Sequence, residues 1–204
     1  MGLFDSIKDA VSSDNDDRDH ANQTDRDENE DISSVPEWVV EDRVNVERRT
    51  EIIHEHYSVS EAQAATIAQK LKTELESTDG FTQDQIRRDL EESLDLSRDL
   101  LETIVWTERA SILTMDRVSS YIEQNGSDAV YKITAPNDDR THQITREVAD
   151  EVKQNGGVTL AELQGLLREK AEQYENEGGT PERMDHWVPH ERFRFSITRV
   201  ISDI

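Results

Sequence analysis

The chain has no cysteine, little lysine and no long apolar run. Because none of its 204 residues is cysteine, disulfide bonds and thiolate metal sites are excluded. No apolar run approaches the roughly 18–20 residues that a membrane-spanning helix needs. No segment has the basic start, apolar middle and small-residue cleavage site of a signal peptide. We therefore expect a protein that neither crosses nor binds a membrane.

Charge of one sign dominates the composition. Acidic residues outnumber basic ones by 46 to 23, which gives a formal net charge of -23, and only six of the basic residues are lysine. Tight, sequence-independent DNA binding depends on Lys and Arg that neutralise phosphates, and no basic stripe runs along this sequence. The composition therefore argues against DNA binding of this kind.

An excess of Asp and Glu with scarce Lys suits a protein that works in molar salt. At about 1 M ionic strength the Debye length falls to about 3 Å, so that self-repulsion is largely screened. Carboxylates also keep the surface hydrated and soluble. We predict a halophilic source, of the kind found among haloarchaea. The alternative is an ordinary acidic protein, since acidic tails are common.

Residues 1–34 are predicted to form a flexible acidic segment with a short amphipathic helix. The apolar positions of this helix share one face: Leu3, Phe4, Ile7 and Val11. Its only basic residue is Lys8, so it lacks the cationic face of a membrane binder, and we predict a docking helix that orders in an assembly. Residues 13–34 are polar, acidic and aperiodic, which predicts a disordered tether.

Residues 35–96 show helical periodicity and are predicted to form a helical region. Ser58 and Glu61 have the spacing of a capping box, which predicts a helix over 59–78. The densest apolar segment follows at about 97–124 and ends at Asn125-Gly126. Its apolar residues recur at helical spacing, which predicts the central helix of the core.

Residues 97–204 are predicted to form an α+β module. Val130–Thr134 and Arg192–Val200 alternate in polarity and are rich in β-formers, as strands are. Two helices lie between them in sequence, at 141–154 and after a capping box of Thr159 with Glu162. The predicted fold class is therefore mainly α, with a small α+β C-terminal module whose two-stranded antiparallel sheet has inserted helices.

The sequence contains no phosphate-binding glycine loop, no GxSxG and no HExxH. One interpretation of the remaining polar residues is a metal site, because three histidines and a carboxylate can fill a zinc shell. Its weak candidates are His142, His186 and His190, with Asp138 or Asp139. The alternative is that His186 and His190 are loop residues and that Asp138 caps the following helix.

Glu108 lies within the apolar central helix. Because an unpaired buried carboxylate is costly, we predict a buried ion pair, with Arg140 as the partner. The alternative is an exposed Glu108 with no role. Phe193 and Phe195 alternate along the last predicted strand, and we predict that they are core residues. A base-stacking surface would need basic residues with less acid around them.

Several short motifs occur in a characteristic order. They are Thr107-Glu108 in the central helix, Tyr131-Lys132-Ile133 in the first strand, Asp138-Asp139-Arg140-Thr141 in the turn, and Pro189-His190 followed by Arg192-Phe193-Arg194-Phe195. In this order, residues 82–204 resemble the phage Mu F-like head-morphogenesis family of minor capsid proteins. His142 and Thr145 stand where that family often has two cysteines, and Phe193 and Phe195 stand where it often has cysteines in the last strand. Trp106 replaces the usual Arg.

The resemblance implies a structural protein of the virion, not an enzyme, with no cofactor. It implies docking at the portal vertex inside the head, with the portal protein as partner and the major capsid protein as a second one. It also implies proximity to packaged DNA without tight binding, and assembly in the host cytoplasm. If those cysteines bind zinc in relatives, an apolar contact and an ion pair take the place of that zinc site here.

Two other functions remain open from the sequence. The first is a scaffolding protein or assembly chaperone that is lost on maturation, which the acidic helices and the predicted tether also fit. The second is a metal-dependent hydrolase that uses His142, His190 and Asp138. Stoichiometric zinc in the purified protein would distinguish the second from a structural role.

Overall fold

The computed structural model describes residues 35–77 and 82–201. The predicted docking helix, with Leu3, Phe4, Ile7 and Val11, and the predicted tether lie outside the described residues. Within the described part of the chain, seven α-helices accompany a single two-stranded sheet. None of these helices is both long and apolar enough to cross a membrane.

The predicted fold class is confirmed: the described chain is mainly helical, with a small antiparallel sheet in its C-terminal part. In chain order the elements are α1 (Glu37–Glu41), α2 (Val46–Tyr57), α3 (Glu61–Glu76), α4 (Gln83–Ser93), α5 (Arg98–Asn125), β1 (Tyr131–Thr134), α6 (Gln143–Gln154), α7 (Leu160–Asn176) and β2 (Ser196–Arg199). A short 3-10 turn, Met184–His186, lies between α7 and β2.

Side-chain caps decide where several helices begin. The Thr159–Glu162 capping box starts α7 as predicted. The predicted box at Ser58 is wrong, because Ser58 adopts a left-handed conformation (φ 52°) and ends α2. The box that starts α3 is instead Ser60 with Gln63, two residues further along the chain.

Helix α5 connects two apolar cores. With 28 residues it is about 42 Å long at 1.5 Å per residue. The part of α5 up to Ile112 packs in the first core with α2, α3 and α4. Met115 and Val118 pack in the second core with the sheet, α6 and α7. Helix α5 therefore contributes to both cores. The proposed division into 35–96 and 97–204 stays a prediction.

The two strands pair antiparallel, with Tyr131 opposite Arg199 and Thr134 opposite Ser196. Helices α6 and α7 are inserted between them in sequence, as predicted. Strand β2 is shorter than the predicted range of 192–200, because Arg192 leaves the sheet and hydrogen-bonds to α5. Through this hydrogen bond the segment that leads into β2 lies against α5, the helix that contains Thr107 and Glu108.

Candidate functional site

Glu108 is fully buried on the core face of α5. It lies four residues after Ile104 and four before Ile112, and both are also inaccessible to solvent. Residues at this spacing share one helical face, so the sequence pattern that buries the two isoleucines buries the carboxylate as well. The prediction that Glu108 is buried is therefore confirmed, and the carboxylate needs partners in the core.

Three donors surround the Glu108 carboxylate, and we call these four residues the Glu108 hub. Arg49 Nη1 donates to Oε2 at 2.6 Å. Tyr57 Oη and Arg183 Nη2 donate to Oε1 at 2.8 and 2.7 Å. The hub joins α2, α5 and the segment that precedes the 3-10 turn, three parts of the chain that are distant in sequence.

The predicted pairing of Glu108 with Arg140 is wrong. The Arg140 side chain is 72% exposed, and its guanidinium lies 3.6 Å from the Asp138 carboxylate. The buried partners come instead from Arg49 and Arg183, which helix packing brings to α5. Sequence reasoning missed both, although Arg49 precedes Ile52 and Ile53 at helical spacing and thus lies in the apolar stripe of α2.

The hub holds Glu108 in its ionised form. Burial alone would raise the pKa of Glu108, but the charges of Arg183 and Arg49 and the hydrogen bonds from Arg183 and Tyr57 lower that pKa to about 2. Burial, together with the Glu108 charge, raises the pKa of Tyr57 well above its ordinary value. At neutral pH Tyr57 is therefore a neutral donor to a permanent carboxylate, an arrangement suited to holding segments together.

A second set of contacts, which we call the turn clasp, consists of Asp138, Thr141 and Arg194. Arg194 Nη1 donates to both carboxylate oxygens of Asp138, at 3.0 and 2.9 Å. Thr141 Oγ1 donates to Asp138 Oδ1 at 3.1 Å. The hydrogen bonds from Arg194, ahead of that from Thr141, lower the pKa of Asp138. The clasp fixes the turn after β1 to the segment that leads into β2.

The alternative role of Asp138 as a helix cap is wrong. The N-cap of α6 is His142, whose Nδ1 accepts a hydrogen bond from the Ile144 amide at 3.2 Å. Asp139 is exposed, and the described residues give it no partner. The four residues of the Asp-Asp-Arg-Thr motif thus differ in role, since Asp138 and Thr141 form contacts while Asp139 and Arg140 face solvent.

Three of the four positions that the resemblance aligns with cysteines, namely His142, Thr145 and Phe193, lie around His190. We call these three residues and His190 the histidine cluster. The rings of His142 and His190 are 4.2 Å apart, and Phe193 contacts His190 edge-on at 6.4 Å. Thr145 Oγ1 lies 3.1 Å from His190 Nε2. Phe195 extends the cluster, with its ring 5.0 Å from that of Phe193.

Both histidines of this cluster are neutral at neutral pH. Burial lowers the pKa of His190 to about 4, and burial also lowers the pKa of His142. His190 Nδ1 lies 2.8 Å from the Glu191 carbonyl, so a neutral ring donates from Nδ1. His190 Nε2 then accepts from the Thr145 hydroxyl. Both ring nitrogens of His190 are thereby engaged within the protein.

The third candidate ligand, His186, lies apart from the histidine cluster. Its ring packs against Trp38 at 6.3 Å, and burial, with the nearby Arg49 charge, lowers its pKa to about 4. Among residues 35–77 and 82–201, no group of three or more His, Asp or Glu is arranged to hold a metal ion. The histidine candidates therefore divide between two places in the fold.

The remaining motif residues anchor the end of the chain to α5. Thr107 is fully buried, and its Oγ1 accepts a hydrogen bond from the Arg192 amide at 2.9 Å. The Arg192 side chain donates to Thr103 Oγ1 and to Asp99 Oδ1, at 2.9 and 2.8 Å. Pro189, three residues before Arg192, is also buried. The last segment is thus held on the central helix by its backbone and by one arginine.

Comparison of the chain with protein-family models, with curated proteins and with solved structures finds no match. The likeness to the head-morphogenesis family therefore rests on the order of the sequence motifs alone.

Proposed function

We propose that the protein is a minor head protein of a tailed virus, which docks at the portal vertex inside the head and assists head assembly and genome packaging or release. One observation carries the proposal: the motif segments, although far apart in sequence, are in direct contact. Thr107 bonds the Arg192 amide, and Asp138 bonds Arg194. The motif order that suggested the family is therefore also a set of neighbours in space.

The departures from the family pattern support the same proposal. The four positions where cysteines are expected lie near one another: His142 and Thr145 both contact His190, and the rings of Phe193 and Phe195 pack together. The turn clasp adds an ion pair nearby. If the cysteines bind zinc in relatives, these contacts take the place of that zinc site here.

A structural role also fits the state of the ionisable groups. Glu108 is engaged by three donors, and both ring nitrogens of His190 have partners. General acid–base catalysis needs a group whose pKa lies near the working pH, whereas the pKa of Glu108 is about 2. We infer that these residues hold the fold and carry no reaction.

Counting the chain in purified virus particles tests the proposal. Quantitative mass spectrometry should find a few to a few dozen copies per particle, relative to the portal and the major capsid protein. Presence in empty precursors with absence from mature particles would favour a scaffolding protein. Absence from both particle types would contradict a role in head assembly.

Cross-linking of intact particles tests the position at the portal. The described chain offers exposed lysines at Lys132 in β1 and Lys153 in α6 to an amine-reactive reagent. Cross-links from these lysines to the portal should outnumber cross-links to the far more abundant major capsid protein. Cross-links spread over the capsid protein would contradict docking at a single vertex.

A further inference from the structure

A groove with four arginines and no acidic residue lies along α5. It encloses about 410 Å³ and is lined by Arg109, Arg117, Arg140 and Arg194. The chain as a whole has 46 acidic and only 23 basic residues, so a groove lined by arginines and no acid contrasts with its composition. A concentration of one charge in a concave site focuses the field on ligands of the opposite charge.

The spacing of residues in α5 forms one wall of the groove. Trp106, Arg109, Leu113 and Arg117 follow one another at intervals of three or four and therefore share a helical face. This face differs from the one that carries Glu108 into the core. The segment 193–196 runs alongside and forms the opposite wall, because Arg192 anchors it to α5.

Two of these arginines lack a partner within the described chain. Arg109 and Arg117 form no ion pair, whereas Arg140 and Arg194 bind Asp138. Arg109 is only partly exposed, and burial lowers its pKa. Removing a cation from water without supplying a counter-charge is costly, and an anionic ligand would offset this cost.

Trp106 lines the groove, but its indole Nε1 is buried and out of reach of a ligand there. The unpaired groups that a ligand can reach are the guanidinium groups of Arg109 and Arg117. They point to a ligand that carries anionic oxygens.

We propose that this groove binds an acidic peptide segment of a partner protein, whose Asp and Glu carboxylates pair with the arginines. A guanidinium fork matches a carboxylate in a bidentate geometry. Leu113 and Phe195 supply apolar surface for the methylene groups and apolar residues of the peptide. The inference is independent of the proposed function, because it depends only on the groove.

The groove suits a peptide better than a nucleic-acid strand. Asp138 pairs with Arg140 and Arg194, which leaves Arg109 and Arg117 as the two cations of the groove without a counter-charge in the described chain. A nucleic-acid strand carries a negative charge on every phosphate and would bring more charges than two cations can neutralise, whereas a peptide can space its charges.

Fluorescence anisotropy of the full chain with a labelled peptide tests the proposal. The probe is a short peptide in which Glu residues alternate with either Leu or Ser. In its control peptide, Gln replaces every Glu. Binding is measured at the lowest KCl concentration at which circular dichroism shows the protein folded. We expect the Glu peptide to bind and the Gln peptide to fail.

Matched arginine variants locate the binding. The double variant R109Q/R117Q removes the two unpaired arginines and should weaken binding of the Glu peptide about tenfold or more. The control R88Q makes the same change at an exposed arginine of α4 outside the groove and should alter affinity less than about twofold. If the double variant is unstable, the single variant R117Q, at an exposed position, still tests whether the groove binds the peptide.

Three results would overturn the proposal. Equal affinity of wild type, R117Q and R109Q/R117Q for the Glu peptide would show that the groove does not bind it. Tighter binding of a labelled oligothymidylate than of the Glu peptide, lost in R109Q/R117Q, would assign the groove to nucleic acid. A Gln peptide that binds as well as the Glu peptide would remove the carboxylates from the interaction.

Discussion

Glu108 joins three segments that are distant in sequence, through its bonds to Arg49, Tyr57 and Arg183. Replacing it with Gln keeps the shape of the side chain but removes the charge that compensates Arg49 and Arg183. Breaking a buried ion pair by changing one partner costs about 3–5 kcal/mol. We expect E108Q to lower the free energy of unfolding by this amount, as measured by urea denaturation.

The control for this prediction lies on the same helix. Glu123 is exposed near the end of α5, so E123Q makes the same chemical change without disturbing a buried pair. Its effect should stay within about 0.5 kcal/mol, as for surface substitutions in general. Similar effects of E108Q and E123Q would mean that the buried ion pairs contribute nothing to stability.

His190 links stability to pH. The folded pKa of His190 is about 4 because of burial, while an unfolded histidine titrates near 6.5. The unfolded state therefore binds more protons between these values, and stability falls as the pH drops from about 6.5 towards about 4. The full loss is on the order of 3 kcal/mol for this residue.

Urea midpoints measured across that pH range check the His190 prediction. H190Q keeps a donor and an acceptor but does not titrate, so its curve should be flatter than that of the wild type. It should not be flat, because burial also lowers the pKa of His186 to about 4. Parallel curves for H190Q and wild type would show that His190 is not protonated differently in the two states.

At the scale of the elements, the turn clasp joins the β1–α6 turn to the segment before β2. D138N should weaken the clasp, because the amide loses the negative charge and one of the two oxygens that accept from Arg194 Nη1. Asp139 is the neighbour with no partner in the described chain, and D139N should leave the melting temperature unchanged. An equal melting temperature for D138N and D139N would contradict a structural role for the clasp.

Gly157 lies where α6 ends and the chain passes beside β1. Its φ is +123°, and an added Cβ would lie 2.6 Å from Val130 Cγ1 and 3.0 Å from the Tyr131 carbonyl oxygen. G157A should therefore cost about 1–3 kcal/mol through backbone strain, with further loss from the contact at Val130. The matched control is G156A, since Gly156 also has a positive φ but open space around it.

Equilibrium unfolding of the two glycine variants tests this ranking. Gly156 has a φ of +76° and Gly157 a φ of +123°, so the difference between the variants combines the greater backbone strain at Gly157 with the contacts of its added methyl group. We expect G157A to be the less stable of the two. A G156A variant that is equally destabilised would show that the close approach to β1 and Val200 is relieved without cost.

The pattern of neighbouring residues predicts the helices and strands, whereas contacts between residues distant in sequence determine the candidate site. The apolar period of α5 and the alternation of β1 are properties of neighbouring residues, so the sequence displays them. The arginine partners of Glu108 are 59 and 75 residues away, and nothing local marks Arg49 or Arg183 as its neighbours. Arg140, the partner that the sequence predicts, lies in a turn that exposes it to solvent.

The arginine groove illustrates the same limit. Arg109 and Arg117 share a face with Trp106 by spacing alone, and the sequence shows this. The opposite wall comes from residues 193–196, almost eighty residues further along, and only the departure of Arg192 from the sheet brings it there. Without that wall the arginines would be an ordinary solvated face in an acidic protein.

At the scale of the whole molecule, the net charge of -23 opposes folding through self-repulsion. The Debye length is about 10 Å at 0.1 M salt and about 3 Å at 1 M. Carboxylates on neighbouring elements therefore repel one another at 0.1 M and are largely screened at 1 M. Folded domains have only about 5–15 kcal/mol of stability, so this repulsion is large enough to matter.

We expect the helical signal in far-ultraviolet circular dichroism to fall when salt is lowered from molar concentration to about 0.1 M. Sucrose added at low salt is the control, because it favours burial of apolar surface without screening charge. If salt restores the helices and sucrose does not, charge screening is the cause. Unchanged ellipticity at low salt would remove the argument for salt adaptation, because the two apolar cores would then outweigh the acid excess unaided.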